Sequence, residues 1–147
     1  AKALDNFGIP FEMNALSAHR TPEEVELFAR EAAARGIKVI IAAAGMAAHL
    51  PGVIAALTPL PVIGVPIKAS FEGLDSVFSI LQMPPGIPVA TVGVNAAENA
   101  GILAAQIIGA GDEKIRSEVI KYKETLKKKI VEANKELKEI KFKHKTN

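Results

Sequence analysis

The chain has no cysteine, no tryptophan and a single tyrosine in 147 residues. Without cysteine it can form no disulfide and offers no thiolate as nucleophile or metal ligand. A reducing, cytoplasmic setting fits that composition. Long apolar runs are also missing. Those present are short and broken by Gly and Pro, so none reads as a leader or a membrane span. No His-x-x-x-His pair or carboxylate–His cluster has the spacing of a metal site, and no metal or cofactor is expected. Aromatic residues make up only 5% of the chain, too few to stack bases along a basic strip.

What is present is the composition of a globular protein, with 49% hydrophobic and 23% charged residues. The length suits one domain with a real core. The net charge of +2 hides an asymmetry. Residues 1–111 hold 6 basic and 9 acidic side chains, and residues 112–147 hold 12 basic and 7 acidic. A basic tail can bind nucleic acid. Acids are mixed through this one and aromatics do not interleave its basic residues, so a solvated helix surface is the favoured reading and no nucleic-acid or membrane partner is expected.

Along the body, helical and buried-strand patterns alternate. Thr21-Pro22-Glu23-Glu24 reads as a helix start, with Thr21 capping, Pro22 in the first turn and Glu24 completing a capping box. Val25, Phe28, Ala29 and Ala32 follow at helical spacing, and Gly36 ends the helix. "KVIIAAAG" and "PVIGVPI" are apolar runs suited to strands buried on both faces. "FEMNALS" and "VATVGV" are read as strands too, and "AAHLPGVIAALT" as a loop feeding a helix. "LDSVFSILQ" and a stretch from the capping signal Asn95-Ala96-Ala97-Glu98 to about Ile108 are read as helices. Short connections between alternating elements imply an α/β protein with a parallel sheet and helices on both faces. Ligands of such sheets bind at the carboxyl ends of the strands.

The tail is different. Asp112 is positioned to cap a helix running to about Phe142. Ile115, Val119, Tyr122, Leu126, Ile130, Ala133, Leu137 and Ile140 form one apolar stripe, roughly 45 Å long at about 1.5 Å per residue. The stripe either packs wholly on its own domain or docks its distal half on another subunit, and the second reading is favoured.

Two of the three histidines fall on the expected rim. His19 lies in "LSAHRTPEE" and His49 in "AAGMAAHLPG", whereas His144 sits in the charged tail. Each of the first two is either a structural histidine or an acid–base group. Arg20 precedes a helix N-terminus, a combination that suits an anion, unless it pairs with Glu23 or Glu24. The small residues of Ala44-Gly45-Met46-Ala47 allow either close approach of a ligand to the backbone or tight helix–strand packing. Ser17 stands two residues before His19, which is not a hydrolase arrangement.

"SAHRTPEE", "AAGMAAHLPG", "VIGVP", "QMPPGIPVATVGV" and "AENAGILAAQII", in that order, closely resemble the N5-carboxyaminoimidazole ribonucleotide mutase family of purine biosynthesis, over about residues 1–110. The resemblance implies a flavodoxin-like three-layer sandwich with a parallel sheet, in a homo-octamer free of metals. It implies an ATP-independent isomerase that moves a carboxylate from the exocyclic nitrogen to ring carbon 4 of 5-aminoimidazole ribonucleotide. His19 matches the family's catalytic histidine and His49 the second histidine of the following loop. Ser17, Ala18 and Arg20 match the substrate-binding turn, with Ser17 and Arg20 where the family helps hold the phosphate. Ala44, Gly45, Met46, Ala47 and Leu50 match the loop enclosing the imidazole and the migrating carboxylate. Met46 stands where many relatives have Gly. The "AAHLPG" form is similar to the mutase branch rather than the branch that carboxylates aminoimidazole ribonucleotide directly with carbon dioxide.

The alternatives are therefore that direct carboxylation and, from another class, a non-catalytic nucleotide-binding module. One family feature is absent: a leading strand and a Gly-Ser-x-Ser-Asp phosphate turn. "AKALDNFGIP" reads as the end of the helix that follows that strand, closed by Gly8. The missing strand belongs inside the sheet, so the expectation is that about twenty leading residues lie outside the sequence or that a partner supplies them. The chain then divides into a flavodoxin-like catalytic domain, 1–111, and a C-terminal helical extension, 112–147, packing on the domain and on neighbouring subunits.

Overall fold

The computed structural model describes residues 1–147. Its elements run α1 (Lys2–Asn6), α2 (Pro22–Glu31), β1 (Ile40–Gly45), α3 (Leu50–Leu57), β2 (Val62–Ile67), a short 3-10 turn (Phe71–Gly73), α4 (Leu74–Leu81), β3 (Ala90–Thr91), α5 (Ala97–Gly109) and α6 (Glu113–Glu139). The three strands are parallel, in the order β1-β2-β3. Ile40 to Gly45 pair in register with Val62 to Ile67, which brings the carboxyl ends of both strands to one rim.

The alternation of side chains along a strand divides the core in two. Ile40 and Ala42 of β1 and Val62 of β2 face Val25, Ala29 and Ala32 of the α2 region and Ile54 of α3. Ile63 and Val65 of β2 face Ala100 and Ala104 of α5. Gly64 has no side chain because none fits: a β-carbon there would lie 2.3 Å from Ile80 Cγ2 of α4. Gly101 serves α1 in the same way, since its β-carbon would lie 2.7 Å from Ala3 Cβ. Phe7, Ala105, Ile115 and Val119 form a third cluster, where Phe7 meets Tyr122 edge to face at 5.5 Å.

Several elements differ from the sequence expectations. "VATVGV" contributes only Ala90–Thr91 to the ladder. Val92 N–H and Asn95 N–H still donate to Gly64 and Pro66 carbonyls, but Asn95 turns left-handed at φ +57° and ends the extended run. α2 stops at Glu31, and the chain turns on to Gly36 at φ +86°. The capping box does not form, because the Thr21 hydroxyl is used by Ser17. Asn95 does not cap α5; its side-chain oxygen accepts from Lys68 N–H at 3.0 Å. Asp112 does cap α6, accepting from Ile115 N–H at 3.0 Å, and the helix ends at Glu139.

The largest departure is "FEMNALS", which forms no strand. An extended segment needs a neighbour to bond, and β1 is not within reach of it. Between the two lies a cavity of about 780 Å³, lined by residues such as Pro10, Leu16, Ile41, Ala43, Ile54 and Ile108. β1 pairs only with β2, so its other edge opens into this slot. Arg35 holds the outer wall, with Nε and Nη2 each donating to Glu12 at 3.3 Å while its guanidinium lies over the Phe28 ring.

Exposed surface is large for the mass. A folded monomer of 15.5 kDa exposes about 7,200 Å². This chain exposes 9876 Å², so roughly 2,700 Å² is in excess of that scaling. Much of the apolar part lies on α6 and on the outer face of α4. Ile115 and Val119 are buried, whereas Leu126, Ile130, Leu137 and Ile140 are exposed, as are Leu74, Phe78 and Leu81.

Candidate active site

The site begins with a closed turn. Thr21 N–H and Thr21 Oγ1 both donate to the Ser17 carbonyl, at 2.9 and 3.1 Å, and Ser17 N–H donates back to Thr21 Oγ1 at 3.0 Å. Ala18, His19 and Arg20 occupy the tip. Ser17 Oγ accepts from Arg20 N–H at 3.3 Å and from Arg20 Nε at 3.4 Å, which sets the direction of the arginine. Arg20 forms no ion pair with Glu23 or Glu24, so its charge is free for an anion.

The second part is the loop from β1 into α3. Ala44 and Gly45 end the strand. A β-carbon on Gly45 would sit 3.1 Å from the Ile67 carbonyl and 3.4 Å from Ala69 Cβ, so β1 and β2 lie flush at the rim. Met46 adopts φ +55° with its side chain 61% exposed. That is the backbone region where glycine is at ease. The loop keeps its left-handed turn and adds a thioether at the surface. Ala47 is exposed, Ala48 is buried, and His49 stands at the N-cap of α3 with Leu50 and Pro51 opening the helix.

The two parts meet through their histidines. Nε2 of His19 lies 2.8 Å from Nδ1 of His49, with ring centroids 4.9 Å apart and planes at 82°. Thirty residues of chain separate these rings, and both are exposed. No third His, Asp or Glu joins them in a metal-sized cluster. His144 stays in the exposed tail. The structure thus brings together the Ser17–Arg20 turn and the Ala44–Leu50 loop on one rim.

The sequence reading missed a third segment of that rim. Lys68 follows β2, is anchored through its N–H by Asn95, and pairs with Glu72. Ser70 donates to Asp75, and Phe71, Glu72 and Gly73 all have positive φ. Asn95 carried the only usable signal, and its position before α5 made it look like a cap.

A parallel α/β sheet with paired imidazoles and a guanidinium free of carboxylate partners on its carboxyl rim has the make-up of an enzyme site that can receive a small anion. Comparison with known proteins narrows it. The family model described as AIR carboxylase matches residues 1–129, and the chain belongs to that family. It is similar to the N5-carboxyaminoimidazole ribonucleotide mutase of Thermotoga maritima, with 53% identity over 148 aligned positions covering 100% of this chain and 86% of the relative. The mutase of Pyrococcus abyssi is 57% identical over 129 positions, 87% of this chain and 74% of the relative. Among solved structures, Treponema denticola PurE superposes with a TM-score of 0.85 at 34% identity, covering 93% of this chain and 86% of that one. The fold is therefore the flavodoxin-like sandwich, with a long C-terminal helix added.

Proposed function

We propose that this chain is an N5-carboxyaminoimidazole ribonucleotide mutase, an isomerase of purine biosynthesis that moves a carboxylate from the exocyclic nitrogen to carbon 4 of 5-aminoimidazole ribonucleotide without ATP. The family match over residues 1–129 carries the reading, and the relatives named as mutases agree with it.

The reaction balances within the substrate. A proton is given to the exocyclic nitrogen as its bond to the carboxylate breaks, releasing carbon dioxide. Carbon 4 attacks the trapped carbon dioxide and then loses its own proton. One imidazole that gives and later takes a proton near neutral pH satisfies both steps. His19 is assigned that role, with His49 as the second catalytic-site histidine. Ser17, Ala18 and Arg20 receive the substrate, Arg20 facing the phosphate with the charge it spends on no carboxylate. Ala44, Gly45, Met46, Ala47 and Leu50 enclose the imidazole and the carboxylate. The small residues Ala44, Gly45 and Ala47 leave backbone groups close to the developing charge.

We assign residues 1–111 to a catalytic domain and 112–147 to an extension that packs on the domain and on neighbouring subunits. A homo-octamer in the cytoplasm is the proposed working form. The excess exposed surface and the bare apolar stripe of distal α6 support assembly. No helix is long and apolar enough to cross a membrane.

The test follows turnover of two substrates. The carboxyamino ribonucleotide should be converted at low bicarbonate. Conversion of aminoimidazole ribonucleotide and carbon dioxide alone, with no use of the carboxyamino compound, would assign the direct carboxylase. Binding of either without turnover would leave a nucleotide-binding module.

A further inference from the structure

His19 and His49 touch through one nitrogen each, Nε2 of the first and Nδ1 of the second, at 2.8 Å. That distance requires a hydrogen on one nitrogen and a lone pair on the other. The contact is held from both sides. The Ser17–Thr21 turn fixes one backbone. The other is fixed by His49 N–H donating to the Ala47 carbonyl at 2.8 Å and by the His49 carbonyl accepting from Val53 N–H at 3.0 Å. Neither remaining nitrogen, Nδ1 of His19 or Nε2 of His49, has a protein partner.

We infer that His49 is the positioning residue of His19: its Nδ1 accepts the hydrogen on His19 Nε2, which leaves His19 Nδ1 as the atom that gives and takes the proton. The direction follows from charge. His49 caps α3 and sits at the positive end of that helix, whose first turn holds no acidic residue. His19 also precedes a helix, α2, but stands two residues before its N-cap, and the first turn there holds Glu23 and Glu24 to offset the field. Arg20, the other cation of the turn, is drawn to Ser17 Oγ. The hydrogen between the rings is therefore better placed on His19, with the lone pair on His49 at the helix start.

This inference rests on the proposed mutase reading, and it makes the cycle specific. The charged His19 gives its Nδ1 hydrogen to the exocyclic nitrogen and keeps the one on Nε2, donated to His49. It is then neutral with a lone pair on Nδ1, aimed at the same substrate. That lone pair takes the hydrogen of carbon 4, and the starting state returns. Without an acceptor at His49, neutral His19 is free to carry its hydrogen on Nδ1, which blocks the second step.

The test compares His49→Asn with His49→Leu in the intact protein. Asparagine places an acceptor oxygen where His49 Nδ1 stands but cannot carry the proton; leucine has no acceptor. His49→Asn should keep kcat within about tenfold of the parent, and His49→Leu should lose about 10²-fold or more, with KM little changed in both. Equal, large losses would overturn the inference, because His49 would then move a proton itself. Full activity in His49→Leu would overturn it as well. Nitrogen-15 NMR of the ligand-free protein gives a readout independent of turnover. The His19 hydrogen should sit on Nε2 in the parent and in His49→Asn, and spread over both nitrogens in His49→Leu. Hydrogen on Nδ1 in the parent would refute the assignment. A parent inactive on the ribonucleotide, with the expected NMR pattern, would remove the mutase reading while leaving the pairing in place.

Discussion

The Ser17 backbone and the Thr21 side chain exchange two hydrogen bonds, Ser17 N–H to Thr21 Oγ1 at 3.0 Å and Thr21 Oγ1 to the Ser17 carbonyl at 3.1 Å. A threonine placed to start a helix instead closes the turn on which His19 and Arg20 sit. Thr21→Val keeps the shape and loses both bonds. It should lower the unfolding free energy by about 1–2 kcal/mol and reduce kcat, whereas Thr21→Ser should stay close to the parent. Thermal unfolding and steady-state rates of the two variants check this.

Removing the acid–base group is the sharper test of the site. His19→Asn should lower kcat by about 10²–10⁴-fold while ribonucleotide binding stays within about tenfold, measured by calorimetry. Near-normal turnover would withdraw His19 from the mechanism.

Arg20 has no carboxylate partner, so changing it disturbs no ion pair. Arg20→Lys keeps the charge but loses the planar fork that matches a phosphate. We expect KM to rise with kcat little affected. Unchanged binding would move the phosphate elsewhere on the rim.

Assembly should depend on the distal half of α6. Ile130 is 72% exposed and Leu137 58%, and each Å² of such apolar surface removed from water contributes about 25 cal/mol before association costs. Ending the chain after residue 125 should reduce the mass seen by light scattering at micromolar concentration and lower activity, although every residue assigned to the site remains. A fully active, stable monomer from the intact chain would remove the assembly proposal.

Much of this molecule follows from local pattern. The runs "KVIIAAAG" and "PVIGVPI" became β1 and β2 because continuous apolar stretches of that length can only be covered on both faces. Asp112 capped α6 as its position before the helix suggested. The order of short motifs was enough to indicate the family, and with it the fold. Local pattern also placed His49 on the rim, at the carboxyl end of β1, whereas His19 was expected there through a strand that did not form.

Other features depended on groups far apart in the chain. Asn95 is a good cap by type, but its amide oxygen was taken by Lys68 N–H, a partner from the end of β2 brought by the fold. "FEMNALS" has strand composition yet formed none, because a strand is made by its neighbour, and the edge of β1 lies across a cavity. The 2.8 Å contact between His19 and His49 is of the same kind. The sequence by itself determined that His49 would stand on the rim, at the end of β1. Only the tertiary structure decided that it and His19 would touch, and through which nitrogens, because that depends on the closed turn at Ser17 and the start of α3 meeting at one height above the sheet.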